Sequence, residues 1–320
     1  MRVLLSGGGM DSIICLGLAK EGYIDPFDRV FTANYGQVAF KAEALATLTA
    51  MHILQNEAEI NPGHLFLRHL YGRHLKEWFT TDFMGMKDFP FPNFPVNDGL
   101  SVPFGVYDCS ERMQLNNPRF KTDGHFLVSE GADVNTPNSD GSDLYYVQTR
   151  NLTLVLTLIE HLYANYSDEV RHSNMEDGDG VEIMFGFTST LHAPISAAYH
   201  LYPDSRSKFV RDLNEVLNAS YNDRFFTSGL DPWLMDNSIR TEEEFYTMLG
   251  TKTLEAVTNN ASCFQAKVIS GSSDIEPPLL DIWRCGTCGH CKARRTTLLQ
   301  EVLKENNLPE TSTWQSRFFA

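Results

Sequence analysis

The chain has 320 residues, a hydrophobic share of 42%, and 41 acidic against 26 basic side chains, for a formal net charge of −15. This size supports one large domain, or a core with a sizeable insertion, without help from disulfides. The acidic balance opposes binding to a phosphate backbone, which depends on Lys and Arg displacing counterions, so long nucleic acid is not an expected partner.

No run approaches the ~18 apolar residues that a membrane-spanning helix requires. Arg2 is followed at once by Val3, Leu4 and Leu5 and then, after Ser6, by glycines, too short an apolar run for a secretion signal. A soluble, cytoplasmic protein is expected.

Residues 2–5 read as a short apolar strand, followed by a glycine turn. Asp11 or Ser12 then opens a helix through Ile13, Ile14, Leu16 and Leu18 that ends near Gly22. A second strand is expected at residues 29–33. Residues 39–57 have helical spacing, with Ala42, Ala44, Leu45, Leu48, Met51 and Leu54 on the apolar positions. Strand, helix, strand, helix in this order implies an α/β fold with a parallel sheet and right-handed crossovers.

The rhythm breaks over residues 65–145. Pro90, Pro92 and Pro95 alternate with Phe89, Phe91 and Phe94, and a polar run follows at 135–142. Prolines this dense exclude a regular helix or central strand, whereas the aromatics are too many for a solvated tail. The expectation is an irregular insertion docked on the core, its phenylalanines serving either to pack it or as a lid or partner surface. Further helices are predicted at 151–166, 208–219 and 296–304, and a strand at 181–186. This divides the chain into a nucleotide-binding core (1–64 and 146–225), the insertion (65–145) and a C-terminal region (226–320).

The turn after the first strand reads Ser6, Gly7, Gly8, Gly9, Met10, Asp11, Ser12. A loop between a strand and a helix binds phosphate because the first helical amides point outward and the helix dipole favours anions. Glycines let the backbone approach without a Cβ in the way. Ser6 and Ser12 add hydroxyls, and Asp11 is placed to hold magnesium or orient a polyphosphate. A Walker loop is excluded because the first lysine is Lys20, and the dinucleotide-binding glycine pattern is absent. A glycine turn without a ligand is the plainer alternative.

The loop from Ser6 to Ser12 resembles the Ser-Gly-Gly-x-Asp-Ser PP-loop of the ATP pyrophosphatases, a family with an adenine nucleotide alpha hydrolase-like, Rossmann-like core. Four further segments resemble one branch, the 7-cyano-7-deazaguanine synthase (QueC) family. These are Asn34-Tyr35-Gly36-Gln37 with Glu43; Val147-Gln148-Thr149-Arg150-Asn151-Leu152; Tyr202-Pro203-Asp204-Ser205-Arg206; and Ser262-Cys263-Phe264 followed by Cys285, Cys288 and Cys291 with Arg294. The resemblance implies an enzyme that uses ATP and Mg2+ to adenylate the carboxylate of 7-carboxy-7-deazaguanine. Ammonia then gives the amide, and a second activation gives the nitrile.

It also implies roles. Asp11, Ser12 and Arg150 are the expected catalytic residues. Ser6, Gly7, Gly8, Gly9, Asp11, Ser12, Tyr35 and Gln37 are expected on ATP. Arg150, Asn151, Asp204 and Arg206 are expected on the deazapurine, a guanidinium matching a carboxylate bidentately. Arg150 and Asn151 also read as a helix cap with a surface arginine, and Asp204 and Arg206 as a turn ion pair. Cys263, Cys285, Cys288 and Cys291 suit a tetrahedral, structural Zn2+, with His290 competing for one place. Cys15 reads as a small core residue, and Cys109 is assigned no role.

The departures matter for the acceptor. Val38 and Ala39 replace the family's Arg-His, Gln148 its proline and Ser205 its cysteine; the stretch at 189–201 stands where the family has a shorter substrate-side loop, and the insertion has no counterpart in it. The adenylating half is retained and the acceptor half remodelled. A second possibility is therefore transfer of the acyl group to a protein amine, as in anti-phage defence relatives, with the acceptor docking on 65–145. Another amidase or tRNA-modifying PP-loop enzyme, and a homodimer, stay open.

Overall fold

The structure, a computed structural model, describes residues 1–37, 39–55, 104–116, 150–172, 180–188, 207–230, 242–263, 266–270, 280–284 and 298–307. Five strands form one sheet: β1 (Arg2–Leu5), β2 (Arg29–Asn34), β3 (Phe104–Asp108), β4 (Val181–Thr188) and β5 (Phe225–Leu230), in the order β3-β2-β1-β4-β5. Every neighbouring pair is parallel, with Leu4 beside both Val30 and Met184, Val30 beside Phe104, and Ile183 beside Thr227. The order reverses at β1: the chain steps outward to β2 and β3, then returns to the other side of β1 as β4 and β5. Such a doubly wound, Rossmann-like sheet opens a crevice at the carboxyl ends of β1 and β4.

Strand alternation assigns the two faces. Leu4, Val30 and Met184 join one core cluster, whereas Val3, Leu5, Phe31, Ile183 and Phe185 join the other. The first face is covered by α1 (Met10–Lys20) and α2 (Phe40–Gln55). The second is covered by α3 (Ser110–Asn116), α4 (Arg150–Asn165), α5 (Ser167–His172) and α6 (Ser207–Tyr221).

The first face carries a further layer: α7 (Glu242–Met248), α8 (Thr251–Thr258), the antiparallel pair β6 (Lys267–Ser270) and β7 (Leu280–Trp283), and α9 (Leu298–Glu305). Helix α8 packs on α1 and α2, the β6–β7 pair on α2, and α9 on α7. Covered on both sides, α1 is buried continuously from Ser12 to Leu18. Gly17 makes the close approach possible, since a Cβ there would lie 2.7 Å from the Thr253 Cβ.

The α/β reading and the parallel sheet hold, and helix and strand ends fall within a few residues of those expected. Two expectations change. Residues 104–116, assigned to an irregular insertion, supply edge strand β3 and helix α3. Residues 225–230, divided between core and C-terminal region, are the sheet's fifth strand. The prolines that suggested irregularity precede β3, and Gly105, which leaves room for the Phe31 ring, hides its apolar pattern. Among the described residues no helix is long and apolar enough to cross a membrane.

Candidate functional site

The loop after β1 lies at the reversal of strand order. The Ser6 amide donates to the Phe31 carbonyl at 2.7 Å, which continues the β1–β2 ladder one residue past the strand. Its hydroxyl pairs with the Thr47 hydroxyl at 2.8 Å and accepts the Gly8 amide at 3.2 Å. Gly8 turns the chain with φ of 59°. A Cβ on Gly8 would lie 2.7 Å from Glu43 Cα and closer still to the Glu43 carbonyl oxygen, so both conformation and space require glycine. Gly7 is the opposite case: it is exposed, and nothing lies within 4 Å of the position its Cβ would take. The loop is thus held from behind and open in front.

Gly9 is extended and precedes α1, where its carbonyl accepts the Ile13 amide at 3.2 Å and the Ser12 hydroxyl at 3.3 Å. Asp11 stands in the first turn of α1. A carboxylate there is favoured by the helix dipole, yet it repels an approaching phosphate unless a cation lies between them.

A second group of side chains gathers past the end of β2. Gln37 donates through Nε2 to the Ala33 carbonyl at 2.9 Å and to Glu43 Oε2 at 2.8 Å, while its Oε1 accepts the Tyr35 amide at 2.9 Å. Burial pushes the Glu43 carboxyl up to about 7, against the lowering effects of the Gln37 bond and the Arg150 charge. Burial, and then the Glu43 charge, raise the Tyr35 hydroxyl above its ordinary value, while Arg150 opposes this by charge and by a hydrogen bond. Arg150 Nε donates to Asn151 Oδ1 at 3.3 Å, and Asn151 is buried. Tyr35, Gln37, Arg150 and Asn151 therefore come together, with Glu43 linking Gln37 and Arg150.

The C-terminal region reaches the same loop. The Ala261 amide donates to the Gly8 carbonyl at 2.7 Å, and the Met10 amide donates to Ser262 Oγ at 3.0 Å. That segment is fixed in turn: Ser262 N donates to Asn260 Oδ1 at 2.9 Å, and buried Arg284 donates to the Asn260 carbonyl through Nε at 2.9 Å and through Nη2. Cys263 is buried beside this segment. Cys15 is fully buried in the core, and burial raises its thiol well above its usual range. Cys109 is buried too, its Sγ 3.4 Å from the Asn34 carbonyl.

The structure thus brings together Ser6, Gly7, Gly8, Gly9, Asp11 and Ser12 in one loop, and Tyr35, Gln37, Arg150 and Asn151 in a cluster reached from it through Glu43. Asp204, Arg206, Cys285, Cys288 and Cys291 lie outside the described residues, as does most of the stretch at 65–145. Among the described residues no group of three or more His, Cys, Asp or Glu is placed to hold a metal ion. Thr47, Asn260 and Arg284 escaped the sequence reading. Thr47 carried a faint signal, a hydroxyl one turn after Glu43. Arg284 carried none.

No protein-family model matches the chain, and no curated protein matches it. What the fold defines is an α/β protein with a doubly wound parallel sheet, whose glycine loop occupies the place where such sheets bind ligands.

Proposed function

We propose that the protein binds ATP on residues 6–12 and adenylates the carboxylate of 7-carboxy-7-deazaguanine. The observation that carries this reading is the Gly8 turn at the strand-order reversal, backed by Glu43 and open at Gly7. In the reaction a carboxylate oxygen attacks the α-phosphorus, and the bond to the β-phosphate breaks to release pyrophosphate. Ammonia then attacks the acyl carbon, the carbon–oxygen bond to AMP breaks and a proton is lost, leaving the amide. A second ATP activates the amide oxygen, whose departure with AMP and loss of two protons leaves the nitrile. Loop amides and the hydroxyls of Ser6 and Ser12 hold the phosphates, while Arg150 and Asn151, with Asp204 and Arg206, hold the deazapurine.

Asp11 would hold magnesium, which neutralises polyphosphate charge, and the need for a cation between this carboxylate and a phosphate supports the fit. Cys263, Cys285, Cys288 and Cys291 would hold a structural zinc. In support, Cys263 is a buried thiol on segment 260–263, and Arg284, the residue before Cys285, is bonded to that segment. The departures at Val38, Ala39, Gln148, Ser205 and 189–201 favour a second acceptor, a protein amine on a partner that docks on residues 65–145.

Incubation with ATP, magnesium, the deazaguanine carboxylate and ammonium is expected to release AMP and pyrophosphate. ADP as the only nucleotide product would contradict the reading. A partner protein that gains the acyl mass only when ATP is present would identify the second acceptor.

A further inference from the structure

Helix α2 covers one face of the sheet and helix α4 the other, and past the end of β2 Glu43, which accepts from Gln37, lies within electrostatic reach of Arg150. Glu43 acts there with two different parts of itself. Its backbone lies directly under Gly8, and its carbonyl accepts the Thr47 hydroxyl at 2.9 Å, which in turn pairs with Ser6. Its carboxylate accepts from Gln37 at 2.8 Å and lies within electrostatic reach of Arg150. One residue thus touches the phosphate loop through its main chain and the Tyr35–Gln37–Arg150 group through its side chain.

We propose that Glu43 is a positioning residue, holding Arg150 and Gln37 at a fixed place relative to the phosphate loop, and that the ionised carboxylate is its working form. The proposal rests on the reading of Arg150 and Gln37 as site residues. The groups that face Glu43 are Gln37, which does not titrate, Arg150, which stays charged, and Tyr35, whose hydroxyl is raised further above neutrality. Glu43 is therefore the member of this group that titrates near neutral pH.

The two roles separate by substitution. Glu43→Gln keeps the backbone under Gly8 and the reach to Gln37 but removes the charge facing Arg150. In AMP-release assays, loss of a charge-assisted contact of this kind lowers kcat by about ten- to a hundredfold at pH 8. The KM for ATP stays within about threefold, because the loop contact is unchanged. The wild-type rate climbs with pH through neutrality as Glu43 ionises, whereas the Glu43→Gln profile is flat over that range and meets the wild-type curve near pH 5.5. Parallel pH profiles, or a loss confined to KM for ATP, would overturn the proposal.

A second measurement needs no turnover. Melting temperatures at pH 8 of Glu43→Gln, Arg150→Gln and the double variant should be non-additive, the double variant being more stable than the sum of the two single shifts gives. Additive shifts would also overturn it. If the wild type releases no AMP under any condition, the proposed function fails, while the melting cycle still decides the role of Glu43.

Discussion

The two faces of the sheet are built on different principles. The face covered by α1 and α2 is packed with small side chains, including Ala42, Ala44, Ala46 and Ala50, and a second layer lies over it. Among the described residues the opposite face carries a single layer, built on rings and branched side chains. Phe31 stands 5.5 Å from His161 and 6.1 Å from Tyr166, and Tyr163 stands 5.4 Å from Phe225. Small residues let helices approach closely enough for backbone and short side chains to support the loop, as Glu43, Thr47 and Ser262 do. Large ones fill volume and hold α4 in place, and with it Arg150. The difference teaches that precision near the loop comes from closeness, and placement of α4 from bulk.

That contrast predicts opposite sensitivities. On the single-layer face, Leu158 is fully buried, and Leu158→Ala should cost about 4 kcal/mol through the lost burial and the cavity left behind. A chemical denaturation midpoint close to wild type would break the comparison. On the two-layer face the damaging change is added volume. Gly17→Val would drive a side chain into Thr253 and should cost about 3 kcal/mol, and an unchanged midpoint would mean that α8 can move aside.

The faces also titrate oppositely. Glu43 is raised from an ordinary 4.5 to about 7, so the folded protein holds a proton there that the unfolded chain has released, and stability falls as pH rises across that window. The effect is about 2 kcal/mol once partial exposure is allowed for, and Glu43→Gln should abolish it. His161 is half-buried among Phe31, Tyr107 and Tyr166, and desolvation lowers its pKa below 6.5. The unfolded chain therefore takes up that proton first, and stability is lost as pH falls below that value; His161→Phe should remove the acid limb. Melting curves of the two variants from pH 4 to 8 check both signs, and a limb that survives its own substitution contradicts the assignment.

Much of this architecture is legible in residues 2–57. Val3, Leu4 and Leu5 form an uninterrupted apolar run of the kind that a strand buried on both faces requires, and three glycines follow after Ser6. Strand β3 is not legible, because Gly105 interrupts its pattern and prolines crowd the sequence before it. Within the site, the glycine loop and the Tyr35–Gln37 pair stand out by residue type. The supports do not, because Met10 with Ser262 and Asn260 with Arg284 are contacts between distant parts of the chain whose residue types carry no periodic signal. Arg284, directly before a cysteine cluster, reads as an ordinary flank.

The smallest of these effects tests the support that Ser262 gives the loop. Ser262→Ala removes the acceptor for the Met10 amide and should cost about 1 kcal/mol. It should also weaken ATP binding measured by calorimetry, whereas a stability loss with unchanged binding would make Ser262 a support for the fold alone.

The central claim, activation of a carboxylate by adenylation, is tested most directly by following an oxygen atom. With the deazaguanine carboxylate labelled with heavy oxygen in both positions, an acyl adenylate that breaks at its carbon–oxygen bond must leave one labelled oxygen on AMP. Mass spectrometry of the nucleotide product is expected to find AMP carrying one heavy oxygen. Unlabelled AMP, or ADP with the label on inorganic phosphate, would contradict the account.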